Sequence, residues 1–211
     1  LQWYHKMFND RNMMEAIYYT LVTAVVATFV STIVGTITAI GLSKSRRIVR
    51  EVVQQINDLP IMNPEIVTAV GLMLFYVSLH MEKGFLTMLL AHIAFCTPYV
   101  ILSVMPKLRG LDPNLAEAAM DLGARPTQAM WKVIVPQIMP GIVSGALIAF
   151  TMSFDDFIIS YFVTGNGVKN ISTLVWTMSK RINPSINSLS TLIVIMITVT
   201  LLIVNIVPMV R

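Results

Sequence analysis

Charge is what this chain has least of. Of its 211 residues only 12% are Asp, Glu, Lys or Arg, while 55% are hydrophobic and the mean hydropathy is +0.73. Soluble domains carry about 25% charged residues, so much of the ionic surface needed to face water is missing. Cysteine is nearly absent as well. Cys96 stands alone inside an apolar run, which excludes a disulfide framework and a metal held by paired thiolates. None of the ten glycines is followed by lysine, so the chain carries no Walker A loop to cradle a nucleotide phosphate. The three histidines belong to no nucleophile–histidine–acid arrangement, and no enzyme, cofactor or metal site is expected. Ten-residue segments of alternating polarity, the mark of transmembrane strands, are also missing.

What is there instead is a series of long uncharged runs. A crossing needs about 20 apolar residues for a core about 30 Å thick. Residues 17–42, 85–106, 133–154 and 182–210 meet that length, the last of them with tilt. Asp155 and Asp156 interrupt the third of these long stretches after residue 154, and 157–163 continue it. The stretch from about 61 to 79 is a fifth span, entered through Pro64 near the first turn. The expected fold class is therefore all-α, a polytopic transmembrane helical bundle forming a single domain, 1–211, in a lipid bilayer.

The +4 net charge reads as topology, because the basic residues sit between the spans and form no nucleic-acid patch. Placing the 43–60 loop inside gathers nine basic residues there, among them Lys44, Arg46, Arg47, Arg50, Lys107 and Arg109, against six outside. Leu1 would then lie outside, although residues 1–15 are polar and have no signal sequence. A preceding helix is expected to resolve this, giving six spans with both ends cytoplasmic.

Residues 107–136 form the least ordinary segment. Asp112 is a candidate N-cap, Pro113 suits the first helical position, and Gly123 is placed to end the helix in a left-handed conformation. Leu115, Ala119 and Leu122 fall on one face, with Glu117 and Asp121 on another. Pro126 starts a second short helix leading into the next span. Glu117-Ala118-Ala119, then Gly123 after three intervening residues, and Val133-Ile134-Val135-Pro136 after nine more resemble the EAA loop of ABC importer permeases. The resemblance implies the methionine-importer type of permease fold. It also implies a coupling helix docked on a cytoplasmic ATPase, with Glu117 and Asp121 as acidic contacts, Ala118 and Ala119 as the small face, and Gly123 as the turn.

The acidic pair is the second candidate. A charge at mid-membrane costs about 2.5–3.5 kcal/mol on insertion scales, so Asp155 and Asp156 are expected to face a polar cavity or a partner. Counted from Pro136 they lie about 28 Å along the helix, in the outer half. The string from Ser153 to Gly165, with Phe95-Cys96-Thr97-Pro98-Tyr99, is similar to spermidine/putrescine importer permeases, specifically the second of their paired subunits. That resemblance implies a second homologous permease, two ATPase subunits, an external polyamine-binding protein and a bacterial inner membrane. Asp155 and Asp156 would pair with the polycation, while Phe154, Phe157 and Tyr161 add cation–π contacts of about 0.5–2 kcal/mol. Alternatives of the same build carry thiamine, ferric iron or an opine; a proton-coupled secondary transporter or a membrane scaffold are more distant ones.

Two features read as packing. Gly141, Gly145 and Ala149 form a small-residue stripe that lets helix backbones approach, in this chain or in a partner. His92 and Cys96, four apart on one span, are two ligands without a third.

Overall fold

The computed structural model describes residues 2–165, 167–179, 187–195 and 198–199, and these are helical apart from short turns. The basic residues Lys180, Arg181 and Arg211, the Asn183-Pro184 segment and most of the expected 182–210 span lie outside the described residues. Residues 187–195 of that span are helical. The chain divides into two compact units, one drawn from residues up to Tyr19 and from Lys169 onward, the other from Thr20–Val168.

In the first unit, the polar start of the chain folds as α1, Gln2–Asn9. The Asp10 carboxylate accepts the backbone N–H groups of Asn12 (3.0 Å) and Met13 (3.4 Å), capping the start of α2, Arg11–Ser43. Near the chain's other end, Asn170 accepts the N–H of Thr173 at 2.9 Å and starts α10, Ile171–Ser179. Met7, Met13, Ala16, Leu174 and Leu189 form the buried core of this unit.

The second unit holds the rest of α2, then α3 (Arg47–Met62), α4 (Glu65–Ser78), α5 (Phe85–Arg109), α6 (Leu115–Asp121), α7 (Pro126–Ala129), α8 (Val135–Phe154) and α9 (Ile158–Val163). Residues 11–43, 85–109 and 126–154 are the helices long and apolar enough to cross a membrane, and they contain three of the expected spans. Phe29 and Ile37 on α2 are 66% and 65% exposed. Such outward apolar faces suit hydrocarbon and not water.

The weakest span comes out differently. α3 and α4 together pass the test for a crossing, but they are bent by 107° at Asn63-Pro64. Pro64 cannot continue the hydrogen-bond ladder, and the residue before a proline is pushed towards extended backbone; Asn63 has φ −81° and ψ 147°. The 14 residues of α4 measure about 21 Å, short of the hydrocarbon core. The expected 43–60 loop is mostly the helix α3.

The small-residue stripe packs inside this chain, against α5. A Cβ on Gly145 would meet the Val100 Cα at 3.1 Å, and one on Gly141 the Ser103 carbonyl at 3.0 Å. Gly35 of α2 approaches Val100 from another helix, where a Cβ would meet the Val100 Cβ at 2.8 Å. Gly145→Leu is therefore expected to cost about 1–3 kcal/mol through overpacking. Thermal unfolding in detergent checks this, with Gly41→Leu as control, since a Cβ there meets nothing within 4 Å.

Candidate functional site

The candidate residues gather in two places, at opposite ends of the antiparallel α5/α8 pair. The first is the segment 107–136. The expected Gly123 turn is present in full. Gly123 has φ +88°, its N–H donates to the Met120 carbonyl at 2.8 Å, and the Ala124 N–H reaches back to Ala119 at 3.1 Å. These two bonds close the end of α6 as a Schellman motif, which needs a left-handed residue at this position.

The start of α6 differs from expectation. Asp112 and Pro113 belong to a preceding turn, in which the Asp112 carboxylate accepts the Asn114 N–H at 2.9 Å, and the helix begins at Leu115. Leu122 differs too. It lies one residue past the helix, where the chain swings into the Gly123 turn, and it is 90% exposed while Leu115 and Ala119 are half-buried. Glu117, Ala118, Asp121 and Gly123 are exposed with it, and Ala119 is half-buried.

Pro126 opens α7, whose Gln128 side chain accepts the Arg125 N–H at 3.0 Å. Between α7 and α8 the helix widens into a π-type turn, Met130–Ile134, in which the Val135 N–H bonds to Met130. Pro136 accounts for it: the residue offers no N–H to Lys132, and its ring would clash with that carbonyl in a regular turn. A cleft of about 410 Å³ beside this segment is lined by Lys44, Arg50, Arg109, Asp112 and Ala116, among others. The ends of α2 and α5 and the start of α3 thus share one end of the unit with α6, and basic side chains gather there.

The second place lies about 26 Å away along α5, counted from Arg109 to His92. Here α8 stops at Phe154 and α9 begins at Ile158, so the run expected to continue through 157–163 is broken at the acidic pair. The two aspartates part company at this break. Asp155 is exposed, and Asp156 is buried. Asp156 accepts the N–H groups of Ile159 (3.1 Å) and Ser160 (2.8 Å) and the Ser160 hydroxyl at 2.6 Å.

His92 Nε2 lies 3.0 Å from the Ser160 Oγ and 3.3 Å from the Asp156 carboxylate, while Nδ1 lies 2.7 Å from the Ser153 Oγ. Since the single Ser160 hydroxyl proton goes to the carboxylate, the His92 Nε2–H donates to Ser160. Glu65, the first residue of α4, lies close enough to the acidic pair for its carboxyl group to feel the charges of Asp156 and Asp155. Like charges brought this near repel one another unless a cation comes between them.

The aromatic residues border this cluster unevenly. Phe154 and Phe157 are half-buried and Tyr161 is 54% exposed. Phe157 and Tyr161 pair at 5.5 Å between ring centroids, and Phe154 stacks on Phe150 at 5.8 Å.

Glu65, His92, Ser153 and Ser160 were not among the expected site residues. Glu65 directly follows Pro64 at the start of the 61–79 stretch, where no spacing ties it to Asp155 and Asp156. His92 is the one residue of its uncharged run that can carry charge near neutral pH, and that is the signal it offers in the sequence.

The chain resembles known proteins along most of its length. Residues 31–210 match the family described as binding-protein-dependent transport system inner membrane component. The chain is 38% identical over 205 residues to the putrescine transport system permease protein PotI of Escherichia coli, covering 91% of this chain and 71% of that protein. It is 34% identical over 195 residues to the spermidine/putrescine permease PotC of Haemophilus influenzae (92% and 76% covered). To PotC of Escherichia coli it is 32% identical over 196 residues (92% and 74%). These relatives are transport permeases and not enzymes. With its multi-pass helices and the matched region running through both places, the chain belongs to the family of inner-membrane components of binding-protein-dependent transport systems.

Proposed function

We propose that this chain is one permease subunit of an ATP-driven importer of polyamines. It works with a second homologous permease, two ATPase subunits and an external polyamine-binding protein. The matched region extends through both compact units, so residues 1–211 are read as one permease domain. The end carrying α6 faces the cytoplasm, in keeping with the basic side chains that line the cleft beside it.

The observation that carries the reading is the convergence of three carboxyl groups, those of Glu65, Asp155 and Asp156, beside the rings of Phe157 and Tyr161. A flexible polycation needs such a lining, with charge pairing from the carboxylates and cation–π contact from the rings. Relatives named as spermidine and putrescine permeases support the substrate class.

Coupling follows from how the helices run. α6 with Glu117, Ala118, Asp121 and Leu122 presents an exposed surface for the ATPase, with Ala119 and Gly123 shaping its approach. α7 and α8 carry movement of that surface through the widened turn to the break at Asp155. α5 and α8, packed along their small-residue stripe, form a stiff link between the two ends.

The assembled transporter in proteoliposomes is expected to accumulate labelled putrescine or spermidine only with internal ATP and external binding protein. Transport of thiamine, ferric iron or an opine in place of polyamine would overturn the substrate. Uptake abolished by a protonophore but indifferent to ATP would overturn the mechanism.

A further inference from the structure

The coupling scheme makes no use of the buried imidazole of His92. A ring held only for packing in an apolar helix would be better replaced by an aliphatic side chain, because a buried polar group costs stability unless it is bonded. Both nitrogens of His92 are bonded, and to residues on the two sides of the same chain break. Ser153 precedes Asp155 on α8, and Ser160 follows Asp156 on α9, sixty-one and sixty-eight residues from His92 in sequence. Ser160 in turn gives both its hydroxyl and its N–H to Asp156. The Thr87 hydroxyl, also on α5, reaches the Val163 carbonyl at 2.8 Å and ties the far end of α9 to the same helix.

We propose that His92 is a positioning residue of the cation pathway. By spanning Ser153 and Ser160 it pins the α8–α9 break, so that Asp156 is held inward beside Glu65 while Asp155 stays outward. The proposal rests on the polyamine-permease reading above. His92 itself does not touch the substrate; it acts through Ser160 and Asp156.

The test compares His92→Ala, His92→Asn and His92→Gln in the assembled transporter, with labelled putrescine uptake measured as KM and Vmax. A glutamine amide nitrogen reaches the place of Nε2 and keeps the bond to Ser160; an asparagine amide reaches only the place of Nδ1. His92→Ala and His92→Asn are expected to raise KM about tenfold, as for loss of a bond acting on a charged group. Vmax should stay within about twofold, and His92→Gln should return KM to within about threefold of the parent.

An unchanged KM in His92→Ala, a fall in Vmax alone, or equal behaviour of the Asn and Gln variants would overturn the proposal. So would failure of all three variants to co-purify with the ATPase, which would assign His92 to stability. Asp155→Asn separates this proposal from the reading beneath it. If that variant leaves putrescine uptake unaltered, the carboxylate pathway itself fails. If it raises KM while His92→Ala does not, only the role of His92 fails.

Discussion

Glu117→Lys is expected to leave the permease inserted in the membrane and to abolish ATP-driven uptake. Glu117 is exposed on α6, and a reversed charge in a docking surface turns an attraction into a repulsion. A penalty of about 3 kcal/mol lowers association more than a hundredfold, enough to release the ATPase at ordinary expression levels. Gly123→Leu should give the same phenotype by another route. At φ +88° a leucine is strained by about 1–2 kcal/mol, and relief of that strain unwinds the Schellman closure that aims Glu117, Asp121 and Leu122. Co-purification of the ATPase and uptake, measured together, check both variants. Normal uptake by the pair would remove α6 from the coupling mechanism.

Neutralising the carboxylates is expected to have the next largest effect, on the substrate side. Asp155→Asn and Glu65→Gln each remove a carboxyl group able to pair with a cation while keeping shape. Asp155 is exposed, so its replacement disturbs little else, and a glutamine at position 65 keeps the size and shape of the residue it replaces. The double variant should weaken polyamine uptake about tenfold to a hundredfold, the range for losing two partly desolvated charge pairs. ATPase association should be intact. Asp156→Asn is a poorer probe because that carboxylate also accepts two backbone N–H groups at the start of α9, and an amide cannot accept them all. Polyamine flux unchanged in the Asp155→Asn, Glu65→Gln double variant would reject the carboxylate lining.

The two sites differ in how far they could be read in advance. The α6 segment is local: a turn, one short helix and a left-handed glycine within a dozen residues, each set by residue type at fixed spacing. Gly123 behaves as its chemistry requires. Local reading misplaced the two ends: Asp112 and Pro113 belong to a turn before the helix, and Leu122 lies one residue beyond it. The small stripe on α8 was legible for a similar reason, though which helix it meets was not, since Val100 and Ser103 lie some forty residues away along the chain. The carboxylate cluster is the opposite case. Glu65, His92 and Asp156 come from α4, α5 and the α8–α9 break, and no spacing rule connects them.

Composition and the lengths of the uncharged runs were enough to establish a helical membrane protein, because hydrocarbon accepts only backbones that satisfy their own hydrogen bonds, and that demand is written residue by residue along the chain. The same holds for the α6 turn, whose bonds close within one segment. Tertiary structure alone decided that the stretch near residue 64 bends by 107°, that α8 breaks at the acidic pair, and that one aspartate turns inward to a histidine while its neighbour faces out. Those outcomes depend on which distant polar groups can satisfy each other once the helices are packed, a condition on three-dimensional proximity that linear order does not contain.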